Sequence, residues 1–167
     1  MSEKKNVFAS EMKYSGILDF REFYKFCYEW LSDEEDLDII ETKYEEKIKG
    51  NEKELVIKWT ADKKLTDYFK KEFMIEFTIR KMKDVEIAQD GKKIKMNEAN
   101  VKVKVKGNLI KDYDGKFEKD AYRKFLRGIY EKWVIASQVQ QFEVHIINKS
   151  DEFLLQAKAF LDLEGKR

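Results

Sequence analysis

Apolar and polar residues alternate with a period of two through much of the first two thirds of the chain. Residues 6–14 alternate in this way and predict a first strand. The same alternation continues over residues 38–111, where Asp90-Gly91 is a strong signal for a hairpin turn. The pattern therefore predicts an antiparallel meander sheet of about six to seven strands.

Helical spacing interrupts this alternation between the first strand and the meander. Asp19 followed by Glu22 is a capping-box pair, in which each side chain accepts a hydrogen bond from a free backbone N–H group of the first turn. Leu18 and Phe23 occupy the positions of the accompanying hydrophobic staple. One face of this segment then carries Phe20, Phe23, Tyr24, Cys27, Trp30 and Leu31. The pattern predicts one amphipathic N-terminal helix.

Helical spacing returns over residues 118–163, the C-terminal helical segment. An apolar stripe is followed by a seam with a seven-residue repeat. The stripe consists of Tyr122, Leu126, Ile129 and Trp133, and the seam consists of Val139, Ile146, Phe153 and Phe160. A single helix over residues 118–162 would be about 67 Å long at 1.5 Å per residue, which is more than a small domain can cover. The segment therefore either projects as one long helix or forms a helix pair, and Ser150 before Asp151 favours a break near Asn148 to Ser150.

The order of strand, helix, meander and C-terminal helix defines a single α+β domain over residues 1–167. This order resembles the helix-grip arrangement of the START and pollen-allergen superfamily, in which an antiparallel sheet wraps a long terminal helix. The resemblance implies a pocket for an apolar ligand between sheet and helix. In general texture, including DYDGKF (112–117) and FLDLEGKR (160–167), the chain also looks like small archaeal proteins without an assigned activity.

Composition and charge narrow the class of protein. The 167 residues include 23 aromatic ones, enough for a large core, and the formal net charge is only +1. Basic groups are concentrated in residues 61–116, which carry 15 basic and 10 acidic side chains. Cys27 is the single cysteine, so no intrachain disulfide forms and a reducing compartment is expected. Because neither a signal peptide nor a membrane span is evident, the sequence predicts a cytoplasmic protein.

Several familiar chemistries are excluded by inspection. No two of the seven glycines lie closer than eight residues, which excludes a Walker loop, a Rossmann fingerprint and a nucleophile elbow. One histidine, His145, and one cysteine cannot make a Cys/His zinc site. We therefore predict no catalytic residue, no metal and no cofactor, and we lean against an enzyme.

Three functional hypotheses remain open. The first is a non-enzymatic binding or interaction protein, with either a sheet–helix pocket for an apolar ligand or a helical partner surface. The predicted pocket residues are Tyr44, Trp59, Phe77, Tyr122 and Trp133, and the predicted partner surface is a homodimer seam formed by Val139, Ile146, Phe153 and Phe160.

The second hypothesis is nucleic-acid binding through a basic sheet face, and the third is an enzyme of unrecognised type. The basic face would consist of Arg80, Lys92, Lys95, Lys102, Lys104 and Lys106. This segment lacks exposed aromatic residues between its lysines, and lysine also keeps strands from aggregating. A solvated face is therefore favoured over a nucleic-acid surface.

Overall fold

The structure is a computed structural model, and it describes residues 3–115, 121–130, 132 and 136–165. The strands are β1 (Glu3–Leu18), β2 (Asp38–Lys49), β3 (Glu52–Lys64), β4 (Phe69–Gln89) and β5 (Lys92–Lys111). The helices are α1 (Phe20–Glu29), which continues into a π-helical turn (Trp30–Glu34), α2 (Ala121–Ile129) and α3 (Ala136–Gly165). The described residues thus form an α+β fold.

The five strands form one antiparallel sheet with the order β1-β5-β4-β3-β2. Strands β2 to β5 form the predicted meander. Strand β1 pairs with β5, the last strand, and therefore forms the edge of the sheet opposite β2. The count is five and not six to seven, because β4 and β5 each run through positions where the pattern predicted two strands. A bulge between Arg80 and Lys83, with Lys81 at a φ of 55°, lets β4 continue without ending.

One face of the sheet, the inner face, is covered by α1 and α3. The period-two alternation places Ile57, Phe77 and Val103 on this face, where all three are fully buried. Helix α1 contributes Phe23, whose ring lies edge-on to that of Phe77 with the centroids 6.1 Å apart. Large apolar side chains from all three elements therefore make one core.

Helix α1 begins where the sequence predicted. Asp19 is the N-cap, and its carboxylate accepts a hydrogen bond from the backbone N–H of Glu22 at 3.3 Å. Leu18 and Phe23, the predicted staple residues, are both fully buried. The end of α1 differs from a simple helix, because the chain continues through the π-helical turn before it enters β2.

The C-terminal helices differ from prediction at one point. Helix α3 is continuous through Asn148 to Ser150, so the break predicted there is wrong. Ser150 is buried and does not begin a helix. Within this segment, helix α2 spans Ala121–Ile129 and helix α3 spans Ala136–Gly165.

The predicted seam of α3 packs on the inner face of the protein's own sheet. Ile146 and Phe153 are buried, and Val139 and Phe160 are half-buried against the same core. A homodimer would therefore need other side chains, and dimerization itself stays a prediction. The position of α3 against an antiparallel sheet is compatible with the helix-grip arrangement.

Candidate functional site

Four charged or ionisable side chains meet beneath α3, and we name them the ionic cluster: Glu35, Lys71, His145 and Lys149. Glu35 follows the π-helical turn, and Lys71 lies on β4. His145 and Lys149 lie one turn apart on α3. Lys71 points inward because the alternation of β4 places it on the same face as the buried residues Phe69 and Phe73.

Short polar contacts join the members of the ionic cluster. The Nζ atom of Lys71 lies 3.1 Å from Nε2 of His145 and 3.8 Å from Oε2 of Glu35. The other carboxylate oxygen of Glu35 lies 3.0 Å from Nζ of Lys149. Lys71 is only 4% exposed, so its amine depends on these partners for hydrogen bonding. The cluster ties α3 to β4 and to the end of the π-helical turn.

The surroundings of the ionic cluster shift the pKa values of Lys71, His145 and Lys149. Burial lowers the pKa of Lys71, while the charge of Glu35 opposes this shift. Burial also lowers the pKa of His145, and the nearby charge of Lys71 lowers it further. Hydrogen bonds to Glu35 and Glu152 raise the pKa of Lys149. Burial is therefore the largest cause of the lowered pKa at both Lys71 and His145.

The space beside the ionic cluster is too small for a substrate. A cavity of about 10 Å³ is lined by Glu35 and Lys149 together with Trp30, Ser150 and Phe153. This volume corresponds to no more than one water molecule. The geometry therefore suits a cluster that holds three elements together better than one that processes a ligand.

The predicted pocket residues are not all brought together. The rings of Trp59 and Phe77 are buried and lie edge-on, with their centroids 4.7 Å apart. Tyr44 is 55% exposed on the edge strand β2, and Tyr122 is 70% exposed on α2. Trp133 lies outside the described residues.

Sequence reasoning did not predict that Tyr24 packs against Trp59, which also contacts Phe77. Its ring lies edge-on to that of Trp59, with the centroids 5.0 Å apart. Its hydroxyl donates a hydrogen bond to the carboxylate of Glu41 at 3.0 Å. Burial and this hydrogen bond raise the pKa of Tyr24 to about 12, so the phenol stays protonated. The helical spacing of α1 had already placed Tyr24 on the apolar face, but nothing local identified Trp59 as its neighbour.

The predicted basic face is interleaved with acidic groups. Lys102, Lys104 and Lys106 all lie on the outer face of the sheet, opposite the helices. In the strand register, Lys104 is paired with Glu11 on one side and with Glu76 on the other. These carboxylates offset the lysine charges, so the face is less favourable to phosphate groups than a purely basic one.

The other predicted members of the basic face are spread over the sheet. Arg80 lies opposite Asn100 on the outer face, and Lys92 stands at the beginning of β5. Lys95 occupies an odd-numbered position of β5, so the alternation places it on the side of Val101 and not with Lys102. The structure therefore does not gather the six residues on one surface.

Helix α2 carries an uncovered apolar face that we name the α2 stripe: Tyr122, Phe125, Leu126 and Ile129. The positions i, i+3, i+4 and i+7 lie on one side of a helix. All four side chains are exposed, Tyr122 and Phe125 most of all at 70% and 64%. No described residue of α2 is buried.

A second side of α2, about 120° around the helix from the α2 stripe, contacts the body of the protein. The guanidinium of Arg127 donates hydrogen bonds to the Tyr68 hydroxyl at 3.1 Å and to the Glu3 carboxylate at 2.6 Å. The ring of Tyr130, just beyond the helix, lies edge-on to that of Tyr68 with the centroids 5.6 Å apart. These contacts fix α2 so that the α2 stripe faces solvent.

No protein-family model and no curated protein sequence matches this chain.

Proposed function

We propose that this protein is a non-enzymatic binding protein that docks on a partner surface through the α2 stripe. The observation that carries the proposal is the exposure of four large apolar side chains on one side of one short helix. Scattered apolar residues on a surface need no explanation, but a contiguous patch of this kind marks an interaction site.

The energetics of α2 support a docking role. A helix of nine residues is marginal in water by itself, and most helices in proteins are stabilised by burial of an apolar face. Helix α2 leaves that face uncovered and is attached by the polar side that includes Arg127. A partner that covered the α2 stripe would supply the missing burial.

The interior of the protein gives less support to the alternative of an enclosed apolar ligand. The cavity between α3, the π-helical turn and the sheet is about 10 Å³. Pockets for small molecules have volumes of about 300 to 1,000 Å³. Trp59 and Phe77 pack against each other and against α1, so they serve as core side chains.

Hydrophobic-interaction chromatography of the full chain tests the docking proposal without knowledge of the partner. The test protein carries Phe125→Ser and Leu126→Ser, and the matched control carries Val144→Ser and Leu155→Ser on exposed positions of α3. We expect the test protein to elute much earlier than wild type and the control to elute only slightly earlier. Equal retention of test protein and control would contradict the proposal.

Urea unfolding of the same proteins completes the test. Because the α2 stripe is exposed, its replacement should change the free energy of unfolding by no more than about 0.5 kcal/mol per site. A loss of about 2 kcal/mol or more per site would show that these side chains belong to the core of the protein, and the docking proposal would fall.

A further inference from the structure

We propose that α2 is an interfacial helix and that the partner surface for the α2 stripe is an anionic lipid bilayer. This inference rests on the proposed docking function and adds the chemistry of the partner. No helix among the described residues is long and apolar enough to cross a membrane, so the proposed contact is with the bilayer surface.

The shape of α2 is that of a helix lying in a membrane interface. Such helices place aromatic and aliphatic side chains on one side and basic side chains on the other. Helix α2 has the α2 stripe on one side, the exposed Arg123 and Lys124 on the remaining surface, and Arg127 against the body of the protein. Tyr122 adds a ring with a polar hydroxyl, the kind of side chain that is enriched where hydrocarbon meets water.

The charge of α2 favours an anionic surface. The described residues 121–130 contain three basic side chains and no acidic one. Arg127 is paired with Glu3 and its side chain is only 12% exposed, whereas Lys124 is exposed on the side of the helix away from the α2 stripe. Arg123 and Lys124 are adjacent and exposed, so an anionic membrane within about 10 Å, the Debye length at moderate salt, experiences both charges, whereas Glu3 offsets the charge of Arg127. Over residues 117–133 the sequence carries five basic and three acidic groups, so the excess of positive charge falls from three to two when the flanking residues are included.

A second copy of the chain fits the α2 stripe less well. Two stripes packed face to face would bring two helices of the same positive charge together. Helix α2 is also only about 13 Å long, whereas a stable protein interface buries about 800 Å² on each partner. A bilayer needs no complementary shape, and four apolar side chains that point the same way can enter it together.

The anchoring contacts set the orientation that a bilayer requires. Arg127 and Tyr130 hold one side of α2 against Tyr68, and the α2 stripe lies about 120° around the helix from them. The helix can therefore lie flat on a membrane while the sheet remains in water. No rearrangement of the core is needed for this contact.

Vesicle flotation with the full chain tests the inference. We expect wild type to float with vesicles of equal parts phosphatidylcholine and phosphatidylserine at low salt, and to bind pure phosphatidylcholine vesicles much more weakly. Phe125→Ser should reduce binding about tenfold, the factor expected when one large apolar side chain no longer enters the bilayer. Lys124→Glu should reduce it by a similar factor, and about 1 M salt should weaken wild-type binding because the Debye length falls to about 3 Å.

Matched controls separate the α2 stripe from the rest of the surface. Leu155→Ser removes a side chain that is 63% exposed on α3, and Lys92→Glu reverses an exposed charge at the hairpin of β4 and β5. Both should bind anionic vesicles as wild type does. Where Phe125→Ser fails to fold by circular dichroism, Ile129→Ser replaces it.

Four results would overturn the inference. Vesicle binding that survives Phe125→Ser would place the lipid contact elsewhere on the protein. Equal binding to neutral and anionic vesicles would remove the role of charge. Sedimentation equilibrium that shows a dimer abolished by Phe125→Ser would make a second copy the partner. Failure to bind vesicles, together with the chromatographic shift described above, would reject the lipid and leave the docking function intact.

Discussion

Gly107 of β5 lies directly beneath Ile146 of α3, and a Cβ atom at position 107 would lie 2.7 Å from Cγ2 of Ile146. The same Cβ would lie 2.8 Å from Oγ of Ser150, one turn further along the helix. Both distances are shorter than the van der Waals contact distance of the atoms involved, so a Cβ atom would clash with α3. The absence of a side chain at Gly107 therefore allows α3 to approach the sheet and bury its seam.

Gly107→Ala should destabilise the protein by about 1 to 3 kcal/mol, because the added methyl group forces α3 away from β5. Urea unfolding followed by circular dichroism measures this change. Gly128→Ala is the matched control, because nothing lies within 4 Å of a Cβ at that position in α2. Equal stability of Gly107→Ala and wild type would show that α3 does not approach the sheet so closely.

Substitution of Glu35 and substitution of Lys71, the two members of the buried ion pair, should change the stability by different amounts. Glu35→Gln leaves the buried amine of Lys71 close to Lys149 without a carboxylate, and we expect it to lower the free energy of unfolding by about 3 kcal/mol. Lys71→Met removes the buried charge and keeps the volume, so its effect should be within about 1 kcal/mol of zero. Urea unfolding at pH 7 compares the two variants. A larger loss for Lys71→Met than for Glu35→Gln would contradict the arrangement of the ionic cluster.

Stability should fall as the pH drops below the ordinary pKa of histidine. Because the pKa of His145 is lowered in the folded protein, the unfolded chain takes up a proton first as the pH falls. This contribution to stability is present above about pH 6.5, the pKa in the unfolded chain, and is lost as the pH falls through the lower folded value. His145 is the only histidine in the chain, so His145→Gln should flatten the pH dependence of unfolding between about pH 5 and 7. An unchanged slope in His145→Gln would argue against burial of this ring beside Lys71.

The predicted pocket residues should divide into core and surface. Phe77→Ala should lower the free energy of unfolding by about 3 to 5 kcal/mol, because Phe77 is fully buried between Trp59 and Phe23. Tyr44→Ser should change it by less than about 0.5 kcal/mol, because that side chain is largely exposed on an edge strand. Urea unfolding of both variants at neutral pH gives the comparison. Similar losses of stability in Phe77→Ala and Tyr44→Ser would indicate that the two side chains line the same enclosed pocket.

The sheet could be predicted because its signal is local. Period-two alternation with one charged face marks a strand whatever its neighbours are, and the cap at Asp19 acts within four residues of itself. The same logic failed at Ser150, where a serine before Asp151 resembles a helix start. Ser150 lies beside Gly107 of the sheet, and this contact between residues distant in sequence cannot be predicted from the residues next to Ser150.

The two candidate sites could not be predicted for the same reason. Lys71 is 36 residues from Glu35 and 74 residues from His145 along the chain, so only the folded sheet and helix bring them together. The α2 stripe has the spacing of a buried helix face. Periodicity alone does not show whether such a face is covered by the protein itself or exposed to solvent. The register contacts of Lys104 with Glu11 and Glu76 likewise depend on pairing between distant strands.

Thiol labelling of Phe125→Cys in the full chain tests the exposure of the α2 stripe most directly. Cys27 serves as the internal reference, because it is fully buried and burial raises the pKa of its thiol. We predict that a maleimide modifies position 125 of the folded protein at nearly the rate of a free thiol, while Cys27 stays unmodified. Labelling at position 125 that is as slow as at Cys27 would show that the stripe is covered by the protein itself, which contradicts the docking function.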